Sequence, residues 1–188
     1  SGDATNATLT ITSALGTKVA SATTNIFTDD ALRRVVDTSE QLARLVPENE
    51  EYMGELGAQQ YPDSNPYFES TGELAPERRA QAITAVTEQA VSRNLISTGF
   101  LIHRAASSAV ATSNGLFAYG TSTGVNFTTT VRTPDGTGSG WAGTSAHDFD
   151  DLDTQALGAI AVEKAMRSQG PRAVEPGRWT VVMEPTTV

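Results

Sequence analysis

Histidine and carboxylate side chains are the residues of this chain that could support metal-dependent hydrolysis. The 188 residues include two histidines, His103 and His147. Neither lies in an H-x-x-x-H or H-E-x-x-H spacing, which would bring two imidazoles to one metal. Three acids, Asp148, Asp150 and Asp151, follow His147 and could add carboxylate ligands, but acids before a helix are also ordinary capping residues. We expect this chain to hold no catalytic residue, metal or cofactor.

Nucleophilic catalysis has equally little support. The sequence contains no cysteine, which excludes thiol nucleophiles, disulfides and cysteine-bound zinc. Serine is abundant, but Gly138-Ser139-Gly140 is only a fragment of a G-x-S-x-G elbow and follows no apolar strand. We therefore expect no self-sufficient active site.

A glycine-rich segment ending on an aromatic residue is the strongest candidate contact surface. Gly136, Gly138 and Gly140 precede Trp141, and no Gly-Lys-Ser/Thr follows as in a phosphate-binding loop. The segment is interpreted either as a hairpin or crossover loop, or as a contact surface for a peptide or partner chain. Glycine permits close backbone approach, and a tryptophan offers a large apolar face, unless it folds into its own core. These four residues are our candidate peptide or interface contacts.

The charge of the chain argues against a nucleic-acid partner. There are 13 Lys and Arg against 22 Asp and Glu, a net charge of −9, whereas binding to phosphates requires a basic patch. No apolar run approaches the roughly 18 residues of a membrane span, and the first residues do not show the charged and apolar regions of a signal peptide. We expect a soluble, cytoplasmic protein without a membrane partner.

The elements that would position these residues begin with residues 1–47, predicted as a β-hairpin followed by a helix. Alternation over 7–12 and 18–23 predicts the two strands, Thr28 is a helix cap, and Pro47 ends the helix. Residues 48–71 form an aromatic-rich segment without a period, which holds three of the four tyrosines. Such a segment is either a loop pinned to the core by its aromatic rings or a mobile, substrate-contacting loop.

Residues 72–188 are predicted to contain a helix, a β-meander, a helix and a strand. The first helix begins at Pro76, and the meander comprises strands at 100–110, 116–119 and 125–131. Asn114 or Gly115 should adopt positive φ in a hairpin turn, and 121–124 is predicted as a second turn. A third helix follows the acids at 148–153, and 179–183 is predicted as the last strand. The predicted fold class is α+β: an antiparallel or mixed sheet with about three helices packed on it, together forming one domain.

Half of the chain resembles a known family. The segment from about Asn94 to Val188 is similar to the TldD/PmbA family, once described as modulators of DNA gyrase and now regarded as metallopeptidases. Five ordered blocks carry the resemblance: TSNGLF at 112–117, DGTGSGW at 135–141, EKAMRS at 163–168, PRAVEPG at 171–177 and TVVMEP at 180–185.

The resemblance implies the N-terminal domain of a two-domain protein that works as a homo- or heterodimer on unfolded peptides. In the metal-bearing members an H-E-x-x-x-H helix binds zinc, and it would follow the strand that resembles 179–184. Residues 184–188 look like the first turn of an unfinished helix, so we expect the parent protein to continue beyond Val188. Two function classes stay open: a peptidase component that shapes the cleft and the dimer interface, and a non-enzymatic binding or assembly subunit.

Overall fold

The computed structural model describes residues 2–62, 64 and 66–183, and the chain has an α+β fold. It divides into two compact units. The first comprises Ser1–Gln59 with Ala111–Phe117, and the second comprises Gln60–Val110 with Ala118–Val188.

Five strands and four helices make up the described chain. The strands are β1 (Leu9–Leu15), β2 (Lys18–Thr24), β3 (Ile96–Ala111), β4 (Phe117–Arg132) and β5 (Ser139–Ala146); the helices are α1 (Asp29–Leu45), α2 (Glu69–Gly72), α3 (Pro76–Val91) and α4 (Thr154–Arg167). A single 3-10 turn spans Phe149–Asp151. β1 and β2 form one antiparallel sheet, and β3, β4 and β5 form a second with β4 in the centre.

The first unit is built on the predicted β-hairpin and helix, and both predictions are confirmed. Thr28 caps α1, because its side chain accepts a hydrogen bond from the backbone of Ala31. The hairpin and α1 are joined through Ser13 and Ser39, whose hydroxyl oxygens lie 2.6 Å apart.

The hairpin tip between β3 and β4 belongs to the first unit and confirms the predicted positive φ. Gly115 has a φ of 89°. The Asn114 amide donates to the carbonyl of Glu55 at 2.8 Å, and the Thr112 hydroxyl donates to the carbonyl of Leu56 at 2.7 Å. A β-bridge between Gly57 and Gly115 completes the contact. The hairpin tip therefore binds backbone carbonyl groups in the first part of the aromatic-rich segment.

The second part of the aromatic-rich segment lies in the second unit. Tyr67 packs over Gly72, where its phenol group occupies the space a Cβ would need. The Phe68 amide donates to the Thr123 hydroxyl at 3.1 Å, although the Phe68 ring is exposed. Hydrogen bonds to the main chain thus accompany the aromatic packing that the sequence suggested.

In the second unit, α3 and α4 cover one face of the three-stranded sheet. Alternate residues of β4, among them Phe127 and Val131, are buried on this side. Val131 packs with Ala142 of β5, Ala90 of α3 and Ala161 of α4 in the main cluster of the core. Small side chains on both helices let the helices lie close to the sheet.

Two sequence-based strand boundaries were wrong. The turn predicted at 121–124 is absent, since β4 runs unbroken through it. Thr123 is buried and its backbone amide donates to the carbonyl of Pro66 at 2.9 Å, so a threonine fits this half-buried strand well. β5 begins at Ser139, inside the segment predicted to be a glycine-rich loop.

The strand predicted at 179–183 is also wrong, because these residues have no regular secondary structure. Val181, Val182 and Met183 have strand-forming or apolar side chains, but all three are exposed. Apolar character alone does not make a strand without a ladder of hydrogen bonds to a neighbour. The helix start predicted at 184–188 lies outside the described residues.

Candidate functional site

The face of the three-stranded sheet opposite α3 and α4, here called the open face, carries exposed apolar side chains. Successive residues of a strand point to opposite faces, and Gly140 and Ala142 are buried toward α4. Trp141 between them therefore lies on the open face, where it pairs with Thr130. Phe100, Ile102 and Trp141 are 49%, 58% and 42% exposed. Such apolar groups on one face are typical of an interaction surface.

Trp141 lies along the sheet rather than in the helix-covered core. A Cβ added to Gly143 would lie 2.8 Å from the indole Cζ2 atom and 2.9 Å from the carbonyl oxygen of Phe127. The indole therefore covers the α-carbon of Gly143, two residues further along β5. This packing leaves one side of the ring toward solvent, as its partial exposure shows.

Two of the candidate contact glycines face α4 of the same chain. A Cβ at Gly138 would lie 2.3 Å from the carbonyl oxygen of Ala165, and one at Gly140 would lie 2.1 Å from that of Ala161. Both glycines are buried. The close backbone approach that they permit is thus made with α4, which seats β5 against the helix.

Gly136 has a different role, in the turn between β4 and β5. Its φ is 74°, a conformation that glycine adopts without strain. The Asp135 carboxylate accepts hydrogen bonds from the amide and the hydroxyl of Thr137, at 3.1 and 2.9 Å. Hydrogen bonds lower the pKa of Asp135; the one from Thr133 has the largest effect, and those from Thr137 add to it. The acid organises the turn as an ionised carboxylate.

A shallow cavity of about 660 Å³ lies on the open face beside the apolar residues. All three strands contribute to it: alternate residues of β3, consecutive residues of β4, and the end of β5 together with His147. The lining residues that carry side chains with hydrogen-bonding groups on this face are Arg104, Ser122, Asn126, Ser145 and His147. Asn126 donates to the hydroxyl oxygen of Ser145 at 2.7 Å, so the two polar groups are held together on neighbouring strands.

The cavity is cationic in an acidic chain. Arg104 and His147 are its ionisable residues among the described lining residues. The Nδ1 atom of His147 lies 2.7 Å from the carbonyl oxygen of Thr123. Because a carbonyl only accepts, Nδ1 carries a proton and donates it. The hydroxyl of Thr123 in turn donates to the carbonyl oxygen of His147 at 2.8 Å, which positions the histidine at the cavity.

The acids after His147 stabilise the chain where β5 leads to α4. Asp148 accepts hydrogen bonds from the Ser70 hydroxyl and from the amide of Asp150. These hydrogen bonds lower the pKa of Asp148, and the one from Ser70 has the largest effect. Arg78 lies over the Phe149 ring, 4.8 Å from its centroid, and pairs with Asp150. Two of the three acids that could have been metal ligands thus have other roles: Asp148 caps the 3-10 turn and contacts α2, and Asp150 pairs with α3.

The described residues do not fit a zinc site. Over residues 2–62, 64 and 66–183, no three histidine, cysteine, aspartate or glutamate side chains come together in a way that could hold a metal ion. His103 alternates with Arg104 along β3 and so points away from the cavity.

The sequence identified Trp141 as a candidate contact, but the cavity was not predicted from it. The signal was available in the alternation of Ser122, Gly124 and Asn126 with buried residues of β4. The turn wrongly predicted at 121–124 interrupted that pattern. Ser145 was missed for a related reason, because the glycines and serines of β5 are typical of a loop rather than of a strand.

These features define an α+β domain whose sheet has helices on one face and an open, partly apolar second face. The PmbA/TldA metallopeptidase central domain matches residues 63–169, and the chain belongs to the PmbA/TldD family. The resemblance identified from the sequence is thus confirmed. No curated protein sequence matches the chain.

Solved structures show the same fold. A candidate modulator of a DNA gyrase from Thermotoga maritima MSB8 aligns with a TM-score of 0.76 at 15% identity, over 94% of this chain and 41% of that protein. A candidate modulator of DNA gyrase from Bacteroides thetaiotaomicron VPI-5482 gives 0.73 at 19% identity, over 88% and 40%. TldE from Thermococcus kodakarensis gives 0.68 at 14% identity, over 86% and 38%. This chain therefore spans about two fifths of the length of these proteins.

No helix in the part of the chain that the structure describes is long and apolar enough to cross a membrane.

Proposed function

We propose that this chain is the substrate-shaping and dimerising part of a PmbA/TldD-like peptidase that acts on unfolded peptides. The observation that carries the proposal is the open face, which presents Phe100, Ile102 and Trp141 beside a cavity lined by three strands. β3 and β5 are the edge strands of this sheet. An extended peptide gains main-chain hydrogen bonds by adding to such an edge, while its alternate side chains contact the adjoining face.

The chemistry of peptide cleavage is assigned to another part of the parent protein or to a partner of the same family. The described residues supply no metal cluster, and Asp148, Asp150 and Asp153 already cap helical turns or form an ion pair. On this account the chain binds and aligns the peptide. The cytoplasmic location predicted from the sequence stays a prediction.

A non-enzymatic assembly subunit is the second candidate function. The observation that favours it is the indole of Trp141, a large apolar group that a permanently paired partner chain would cover. A role as a modulator of DNA gyrase, as in the description of two of the relatives, would have to act without phosphate binding, because the chain carries a net charge of −9.

A Trp141→Ala variant tests the proposed interface. We expect self-association, measured by sedimentation velocity over a concentration series, to weaken. Truncation of an aromatic residue in a protein core lowers the free energy of unfolding by about 3–5 kcal/mol. We expect a smaller loss here, because Trp141 is 42% exposed.

The matched control is Phe127→Ala, since Phe127 is 1% exposed on the helix-covered face of the same sheet. This variant should show the full loss of stability. If Trp141→Ala behaved like Phe127→Ala in unfolding and left self-association unchanged, Trp141 would be a core residue and the interface would be rejected.

A further inference from the structure

The cationic cavity of the open face has a free guanidinium at an exposed sheet edge. Arg104 makes no ion pair or hydrogen bond to any residue that the structure describes. It lies on β3, which is an edge strand. An unpaired guanidinium with five donors is suited to a carboxylate, which it binds with two parallel hydrogen bonds.

The neighbours of Arg104 favour the same ligand. Ser122, Ser145 and Asn126 add neutral polar groups to the cavity, and His147 adds an imidazole. No carboxylate is found among the described residues that line it. The cavity thus presents a positive group and hydrogen-bond donors in a chain whose net charge is −9.

Arg104 continues a line of apolar side chains along β3. Phe100, Ile102 and Arg104 occupy alternate positions and share the open face. A peptide strand added beside β3 would place every second side chain directly opposite one of them. An acidic residue opposite Arg104 would then have apolar residues two and four positions away, opposite Ile102 and Phe100.

We propose that this edge binds an extended peptide in which an aspartate or glutamate side chain pairs with Arg104 and alternates with apolar residues. The inference rests on the proposed peptide-binding function and names the class of segment recognised. The overall acidity of the chain would by itself favour basic peptides. Next to Arg104 an acidic side chain is favoured instead, because the adjacent positive charge acts more strongly than the distant acids, whose field is screened by salt.

Two labelled twelve-residue peptides test the proposal on the 188-residue chain. Each has valines two and four residues on both sides of a central residue, so that either strand direction presents the same pattern. The central residue is glutamate in one and glutamine in the other. Fluorescence anisotropy should show that the glutamate peptide binds more tightly, by up to about fivefold, the advantage expected for an exposed charged pair.

Arg104→Gln should abolish this preference, and Arg104→Glu should transfer it to a peptide with a central lysine. Arg132→Gln is the matched control, because Arg132 is an exposed arginine of β4 on the same face that does not line the cavity. It should keep the preference. Circular dichroism checks that all variants are folded.

The outcomes separate the inference from the function on which it rests. Equal binding of the glutamate and glutamine peptides, or a preference that survives Arg104→Gln, would overturn the carboxylate assignment and leave peptide binding intact. Failure of the wild-type chain to bind either peptide would contradict the proposed function itself, and the inference with it.

Discussion

Single glycines decide how closely the sheet and helix of the second unit approach each other. Gly140 is the sharpest case, because a Cβ there would lie 2.1 Å from the carbonyl oxygen of Ala161 and 2.5 Å from the amide nitrogen of Ala165. Both atoms are backbone of α4, so a side chain cannot be accommodated by a change of rotamer. The sequence pattern identified Gly140 as a place of close approach, but it could not identify α4 as the neighbour.

Gly140→Ala should therefore destabilise the fold. Overpacking typically lowers the free energy of unfolding by about 1–3 kcal/mol. We expect a loss of at least this size, which urea unfolding would measure. Gly120→Ala is the control, because Gly120 lies in β4 and a Cβ there would meet nothing within 4 Å. Equal stability of the two variants would show that β5 does not pack on α4 as described.

Asp148 gives a second prediction at the residue scale. Its pKa is lowered from the ordinary value of 3.8, first by the hydrogen bond from Ser70. A carboxylate whose pKa is lower in the folded state stabilises the fold fully above its unfolded pKa, and this contribution is lost as the pH falls through the folded pKa. Asp148→Asn should thus be less stable than wild type near neutral pH, and the difference should shrink below about pH 4.

Urea unfolding of both proteins between neutral pH and about pH 3 measures this difference. Asp151→Asn, in the same 3-10 turn, is the control for a general change of charge. A difference between wild type and Asp148→Asn that stayed constant over the whole range would contradict a role for the ionised carboxylate.

At the scale of elements, the sequence predicted those that carry a strong local signal. α1 and α3 were predicted because Thr28 caps the first and Pro76 opens the second. The β1–β2 hairpin follows from alternation and a glycine turn, with Gly16 at a φ of 65°. In each case the determining interactions lie within a few residues of one another.

The elements that were wrongly predicted are those whose own side chains give a misleading local signal. β5 is a strand because Ser139–Ala146 pairs with β4 and packs on α4, although its glycines and serines suggest a loop. Residues 179–183 are the reverse case, with strand-forming side chains but no strand among the described residues. The cavity was missed with β5, since Ser145 and His147 line it from that side.

At the scale of the whole molecule, the two units have separate internal contacts. The first is held by the β1–β2 sheet, α1 and the hairpin tip at 111–117, and the second by the three-stranded sheet with α3 and α4. The chain spans about two fifths of its structural relatives. The division of labour proposed here assigns peptide alignment to this chain and bond cleavage to a different part of the assembly.

Incubation of the purified 188-residue chain with a labelled unfolded polypeptide tests that division most directly. Anisotropy would measure binding, and mass spectrometry of the same samples, with and without added zinc, would measure cleavage. We expect saturable binding and an intact polypeptide under both conditions. Absence of binding, or zinc-dependent cleavage by this chain alone, would contradict it.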